Sequence, residues 1–160
     1  MTLPLKVLGI GANASNVGMV FLNQGKLKFW QSSSVASQSP ADAKRIAKRW
    51  VTEFQPDIVV TEKLAESCRK SEQTQAVITT FAQTAEELGI RSLRLARPQE
   101  HKNKYDEATA LATRYPATKP WVPTRKFYDP EPRNVALFNA LALADKLIRS
   151  GTLGIAAAMG

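Results

Sequence analysis

The feature that most constrains the fold lies in the first thirty residues: three apolar runs of strand length, joined by turns too short to hold a helix. Leu5 to Ile10 runs into the turn-prone Gly11-Ala12-Asn13-Ala14-Ser15-Asn16, and Val17 to Leu22 into Asn23-Gln24-Gly25. Lys26 to Trp30 then alternates polar and apolar, as a half-covered strand does. Connections this short make the three strands antiparallel neighbours.

From there the period changes. Ser37 to Pro40 is turn chemistry, with Pro40 placed to start a helix. Ala41 to Phe54 puts Ile46, Ala47, Trp50, Val51 and Phe54 on one helical face, with Lys44, Arg45, Lys48 and Arg49 mainly around the rest. Pro56 breaks that helix, and Asp57 to Thr61 is a short apolar run suited to a strand covered on both faces, ending at Glu62. Ser71 to Leu88 reads as a helix ended by Gly89, with Ala76, Val77, Thr80, Phe81, Thr84 and Leu88 at helical spacing. Ile90 to Leu95 is a fifth strand and Gln99 to Arg114 a polar helix. Pro116 to Pro132 is a loop, and a last helix runs from Arg133 to Arg149. The order β-β-β-α-β-α-β-α-loop-α predicts an α/β fold: a mixed five-stranded sheet, its later strands joined by right-handed crossovers, with helices on both faces. Residues 1–149 form one domain in this reading, and the small apolar stretch from Ser150 to Gly160 is expected to be a frayed, flexible tail.

Composition narrows the function. A chain of 160 residues is about one domain, which excludes two-domain kinases and dehydrogenases. One cysteine, Cys68, allows no internal disulfide and no multi-cysteine zinc site, and makes a reduced, cytoplasmic setting the default. The one histidine, His101, argues against histidine-rich metal sites and most histidine-based triads, and reads as a surface residue. No apolar run is long enough to span a bilayer, and the N-terminus has no signal-peptide pattern, so no membrane partner is expected. With 22 Lys+Arg against 14 Asp+Glu the net charge is +8, a surplus suited to a phosphate-rich partner. In a sheet of this kind chemistry gathers at the carboxyl ends of the central strands, which here deliver the Gly11 turn and Glu62.

The element order, with Val7-Leu8-Gly9-Ile10-Gly11-Ala12-Asn13-Ala14-Ser15-Asn16-Val17-Gly18, Ile58-Val59-Val60-Thr61-Glu62 and Asn139-Ala140-Leu141-Ala142-Leu143-Ala144, resembles the RuvC-type Holliday junction resolvases of the ribonuclease H-like superfamily. The resemblance covers roughly Leu5 to Leu147. It implies an acid ending the first strand, a Glu ending the fourth and acids on the last helix. Together these would hold two Mg²⁺ or Mn²⁺ ions that activate water against a phosphodiester. It also implies a homodimer acting on branched or four-way DNA, because symmetric cutting needs two sites related by a two-fold axis. The helix from Ser71 to Leu88 is a candidate interface.

Within that resemblance the chain departs from the pattern where the ions would sit. Gly11 stands where the family carries its first-strand Asp, Asn139 where it carries an acid on the last helix, and Ala136 one turn earlier; Glu62 alone remains. Asn139 offers only a neutral oxygen, a weaker ligand beside Glu62. Asp145, six residues on, falls roughly 120° around the helix and about 9 Å along it, so it is expected to face elsewhere. Asp129 and Glu131, at the loop-to-helix junction, are candidates to curl toward the site, though Glu131 also reads as a helix N-terminal acid favoured by the dipole. Lys63, Arg69 and Lys70 follow Glu62 directly, and Lys102, Lys104, Arg125 and Lys126 lie in a basic stretch, making seven candidate nucleic-acid contacts. Tyr105, Trp121, Phe127 and Tyr128 interleave with that stretch, either to stack on bases or to anchor the loop, with anchoring the better reading for Trp121. Leu64 and Ala65 stand where resolvases often place an aromatic wedge.

Three functions follow: a structure-selective endonuclease impaired by missing acids, a non-catalytic nucleic-acid-binding module of the same fold, and a scaffold for a protein partner. Phosphate contacts need no metal, so the second survives the loss of every acid.

Overall fold

The computed structural model describes residues 5–64, 70–96, 104–122 and 134–159. Its sheet is the expected mixed one: β1 (Lys6–Ala12), β2 (Val17–Asn23), β3 (Lys26–Ser33), β4 (Ile58–Glu62) and β5 (Arg91–Leu95), in the spatial order β3-β2-β1-β4-β5. The first three strands pair antiparallel, while β1 with β4 and β4 with β5 are parallel. The β2–β3 hairpin turns at Gln24 and Gly25, both at positive φ (54° and 78°), the backbone of a primed turn whose twist matches the strands it joins.

Two helices cover each face. α1 (Pro40–Phe54) and α2 (Glu72–Glu87) pack on one side through Ile46, Trp50, Val77, Ile78 and Phe81, against Leu8, Ile10 and Val59 of the sheet. On the other side α3 (Lys104–Arg114) and α4 (Asn134–Met159) pack through Leu111, Leu137, Phe138, Leu141 and Leu147 against Val7, Val20, Ile58 and Val60. Alternation along each strand sorts the two sets, so a residue's place in the strand fixes the layer it joins. No helix among the described residues is long and apolar enough to cross a membrane.

Helix starts follow local chemistry. Ser39 caps α1, its hydroxyl oxygen accepting from the Asp42 backbone N–H at 3.1 Å, with Pro40 in the first turn. Ser71 caps α2 in the same way, accepting from the Thr74 N–H at 3.1 Å.

Four expectations need correcting. β3 continues to Ser33 rather than ending at Trp30, because Gln31, Ser32 and Ser33 still find register partners on β2. Leu88 is 42 % exposed rather than on the core face of α2, since it stands at the helix C-cap. The proline-rich stretch opens with a 3₁₀ turn, Pro116–Trp121, where the Thr118 N–H and hydroxyl both donate to the Tyr115 carbonyl. The last helix runs past Arg149 to Met159, as the alanine and leucine content of that stretch favours.

Candidate nucleic-acid interface

The site is built where β1 and β4, the parallel central pair, end side by side. Their register pairs Gly9 with Val60. One pleat further along, Gly11 and Glu62 therefore point to the same face as Val7, Ile58 and Val60, the α4 face. Asn139 comes to the same place from α4. A Cβ built on Gly11 would stand 2.7 Å from the Asn139 Cβ. Gly11, Glu62 and Asn139 thus share one strand end, though they lie far apart in sequence.

What the sequence conceals is how closely α4 lies on the sheet. A Cβ on Gly11 would also meet the Ala140 backbone nitrogen at 2.5 Å and the Ala136 carbonyl oxygen at 2.7 Å. On Gly18 it would stand 2.5 Å from the Ala136 carbonyl carbon, and on Gly9 2.7 Å from the Ala140 oxygen. Gly9, Gly11 and Gly18 form a bare patch on β1 and β2, and the helix stripe Ala136, Ala140 and Ala144 settles onto it. Gly11 therefore lacks the space for a side chain as well as the side chain itself.

Glu62 is largely covered, its side chain 13 % exposed, and it faces the Lys70 ammonium at 3.9 Å. Lys70 Nζ also donates to the Ala12 carbonyl at 3.2 Å, so this cation joins the ends of β1 and β4. Its backbone is held in turn, since Gln75 Nε2 donates to the Lys70 carbonyl at 2.8 Å. Gln73 Nε2 donates to the carbonyls of Ser37 and Gln38, both at 2.9 Å, fixing the start of α2 against the segment before α1. Asn139 is 4 % exposed, and its side-chain oxygen has no hydrogen-bond partner among the described residues.

Beside Glu62 opens a cavity of about 320 Å³, lined by Glu62, Lys63, Leu64, Ile78, Thr79 and Arg94. Lys63 sits at its rim, its backbone N–H tied to the Leu95 carbonyl at 2.8 Å. Arg94 is a site cation that the sequence reading missed. The signal was present in Ile90 to Leu95, where Ser92 and Arg94 alternate with the core-facing Leu93 and Leu95.

The other candidates divide. Lys104 opens α3. Arg69, Lys102, Arg125 and Lys126 lie outside the described residues, as do Ala65, Cys68, His101, Phe127, Tyr128, Asp129 and Glu131. Trp121 anchors the 3₁₀ turn, edge-on to Trp30 with ring centroids 5.4 Å apart. Asp145, six residues along α4 from Asn139, is 2 % exposed and taken up elsewhere. Its carboxylate accepts from Arg114 at 2.7 Å, Arg149 at 2.8 Å and the Tyr115 hydroxyl at 2.9 Å. Burial, and then the bond to Asp145 and its negative charge, push the Tyr115 phenol well above the usual tyrosine range. Asp145 is committed to joining α3 to α4.

Tested against the chemistry of a paired-dication centre, the donor set among the described residues, Glu62 and Asn139 beside Gly11, does not fit. Such a centre needs several carboxylates to offset four positive charges. Among the described residues no three His, Cys, Asp or Glu side chains cluster in a way that could hold a metal ion. The Lys70 ammonium adds repulsion. Unit charges 4 Å apart near a protein surface interact by about 4 kcal/mol, and a dication doubles that.

No protein-family profile matches the sequence, and no curated protein matches it. Solved structures do. Thermus thermophilus RuvC superposes with a TM-score of 0.62 at 16 % identity, covering 92 % of this chain and 98 % of that one. T. thermophilus RuvC in complex with a Holliday junction substrate gives 0.60 at 17 %, covering 92 % and 97 %. The fowlpox virus resolvase with its substrate Holliday junction DNA gives 0.57 at 14 %, covering 90 % and 99 %. At these identities the likeness carries the fold and leaves the chemistry to the residues, and that fold is the RuvC-like one of the Holliday junction resolvases.

Proposed function

We propose that this protein binds branched DNA without hydrolysing it. The observation that carries the reading is the seating of α4 on Gly9, Gly11 and Gly18, which fills the strand end where hydrolysis would need a carboxylate. Binding is supported on separate grounds. The net charge is +8. Lys70 faces Glu62 at the carboxyl ends of the central strands, and Lys63 and Arg94 line the cavity beside it. Two solved structures of the same fold hold Holliday junction DNA. Phosphate contacts supply affinity with no ion at the strand ends.

A homodimer belongs to this reading, because a four-way junction offers two equivalent faces. The apolar face of α2 is not what would join the copies: Val77, Ile78, Phe81, Ala82 and Ala85 are buried in the chain's own core.

Gel-shift titration of a labelled four-way junction against a duplex of the same arm sequence tests the proposal, first in EDTA and then with Mg²⁺ or Mn²⁺. The expected result is preferential retention of the junction with every strand intact. Paired symmetric nicks abolished by Glu62→Gln would overturn the non-hydrolytic reading and restore the nuclease. Failure to bind either DNA would leave a protein partner as the reading.

A further inference from the structure

We infer that the Lys70 ammonium is the built-in cation of this site: it stands where a divalent ion would otherwise join β1 to β4, and it contacts one backbone phosphate of the bound DNA. The inference rests on the proposed DNA binding and names the group that carries it. Three observations converge. Lys70 Nζ bonds the Ala12 carbonyl at the end of β1 at 3.2 Å and faces the Glu62 carboxylate at the end of β4 at 3.9 Å. Those are hard oxygen donors of the kind a metal ion uses, here gathered around an ammonium. The position is built, since the Ser71 cap and the Gln75 bond to the Lys70 carbonyl hold the residue at the start of α2. The side chain is 22 % exposed, largely but not wholly covered.

The charges agree. Lys63 and Arg94 line the cavity beside Glu62 and Lys70 faces its carboxylate, so these cations outnumber that one carboxylate. A phosphodiester arriving there is drawn in, whereas a dication is repelled. Lys70 thus replaces the ion's electrostatic role toward the phosphate but not its ability to activate water, because an ammonium has no open coordination position. The substitution gives binding without cutting.

The test uses the full-length protein and a four-way junction. Wild type should bind equally well in EDTA and in Mg²⁺. Lys70→Met should weaken binding about tenfold at 0.1 M salt and lower the slope of log affinity against log salt by about 0.9, the signature of one lost phosphate contact. Lys70→Arg should keep most of the affinity and the full slope. Circular dichroism and the melting temperature confirm that Lys70→Met is folded, and a merely structural lysine would leave the salt slope unchanged. A DNA-free arm follows Mn²⁺ uptake by electron paramagnetic resonance in wild type and Glu62→Gln, with no Glu62-dependent uptake expected. Wild-type affinity and slope in Lys70→Met, loss of wild-type binding in EDTA, or Glu62-dependent Mn²⁺ uptake would each overturn the inference. A wild type that binds neither junction nor duplex instead overturns the proposed function, and the Mn²⁺ arm then decides the ion replacement alone.

Discussion

The two faces of the sheet are covered by opposite means. On the α1–α2 face, bulk fills the space: Trp50 and Phe81 stack with centroids 5.6 Å apart, 1 % and 2 % exposed, over Leu8, Ile10 and Val59. Over the ends of β1 and β2 on the α4 face, absence does. Glycines let the helix backbone approach to contact distance, and small alanines face them. The first face is specified by what its side chains supply, and the ends of β1 and β2 under α4 by what they omit. One consequence follows at the end of β1, where the seating of α4 leaves no room for a side chain at Gly11.

Removing atoms from the first face should do the most damage. Phe81→Ala opens a cavity under α1 and α2 and should cost about 3–5 kcal/mol in chemical denaturation. A loss below 1 kcal/mol would show that the face collapses easily, and would break the contrast.

On the opposite face the addition of one carbon should harm. Gly18→Ala or Gly11→Ala drives a methyl into the α4 backbone and should cost about 1–3 kcal/mol by the same assay. Gly11→Asp should cost more, so a Gly11→Asp, Asn139→Asp double variant is expected to lose stability without gaining junction cleavage. Unchanged melting of Gly11→Ala would mean that α4 moves freely off the strand, and the argument from its close seating would fall.

Outside both faces the effects shrink. Ser39→Ala removes the α1 cap and should cost about 1 kcal/mol in the same denaturation assay. A loss near the Phe81→Ala value would mean that α1 depends on its cap more than on its packing.

The smallest effect is confined to alkaline solution. The folded chain keeps the Tyr115 proton to higher pH than the unfolded chain, whose tyrosines titrate near 10. Stability from this residue is therefore fully present below about pH 10 and is lost as the pH rises toward the folded value. Denaturation at pH 9 and 11 should show wild type losing more stability than Tyr115→Phe across that interval. Equal losses would remove Tyr115 from the α3–α4 linkage.

Much of this was legible in the residues. Short connections made the first three strands antiparallel, and the period switch after Ser37 set the alternation of strands and helices. Pro40 and Gly89 marked helix ends, and Glu62 stood out as the acid closing a buried strand. The limits of β3 and α4 were less clear, because β3 ends through its pairing with β2 and the alanine-rich end of α4 carries no helix-face pattern.

The site divides in the same way. That Asp145 turns away from Asn139 could be read from helical spacing, whereas that Gly11 and Asn139 stand where acids are expected is what the family resemblance implied and spacing alone could not show. That Gly11 has no room for a side chain is a property of how closely α4 seats, set by Ala136, Ala140, Gly9 and Gly18 together, and no local pattern encodes a distance between two elements. The placement of Lys70 was equally hidden. As a residue it was one cation in a basic run, and only the meeting of three distant segments, the end of β1, the end of β4 and the cap of α2, gave its charge a position.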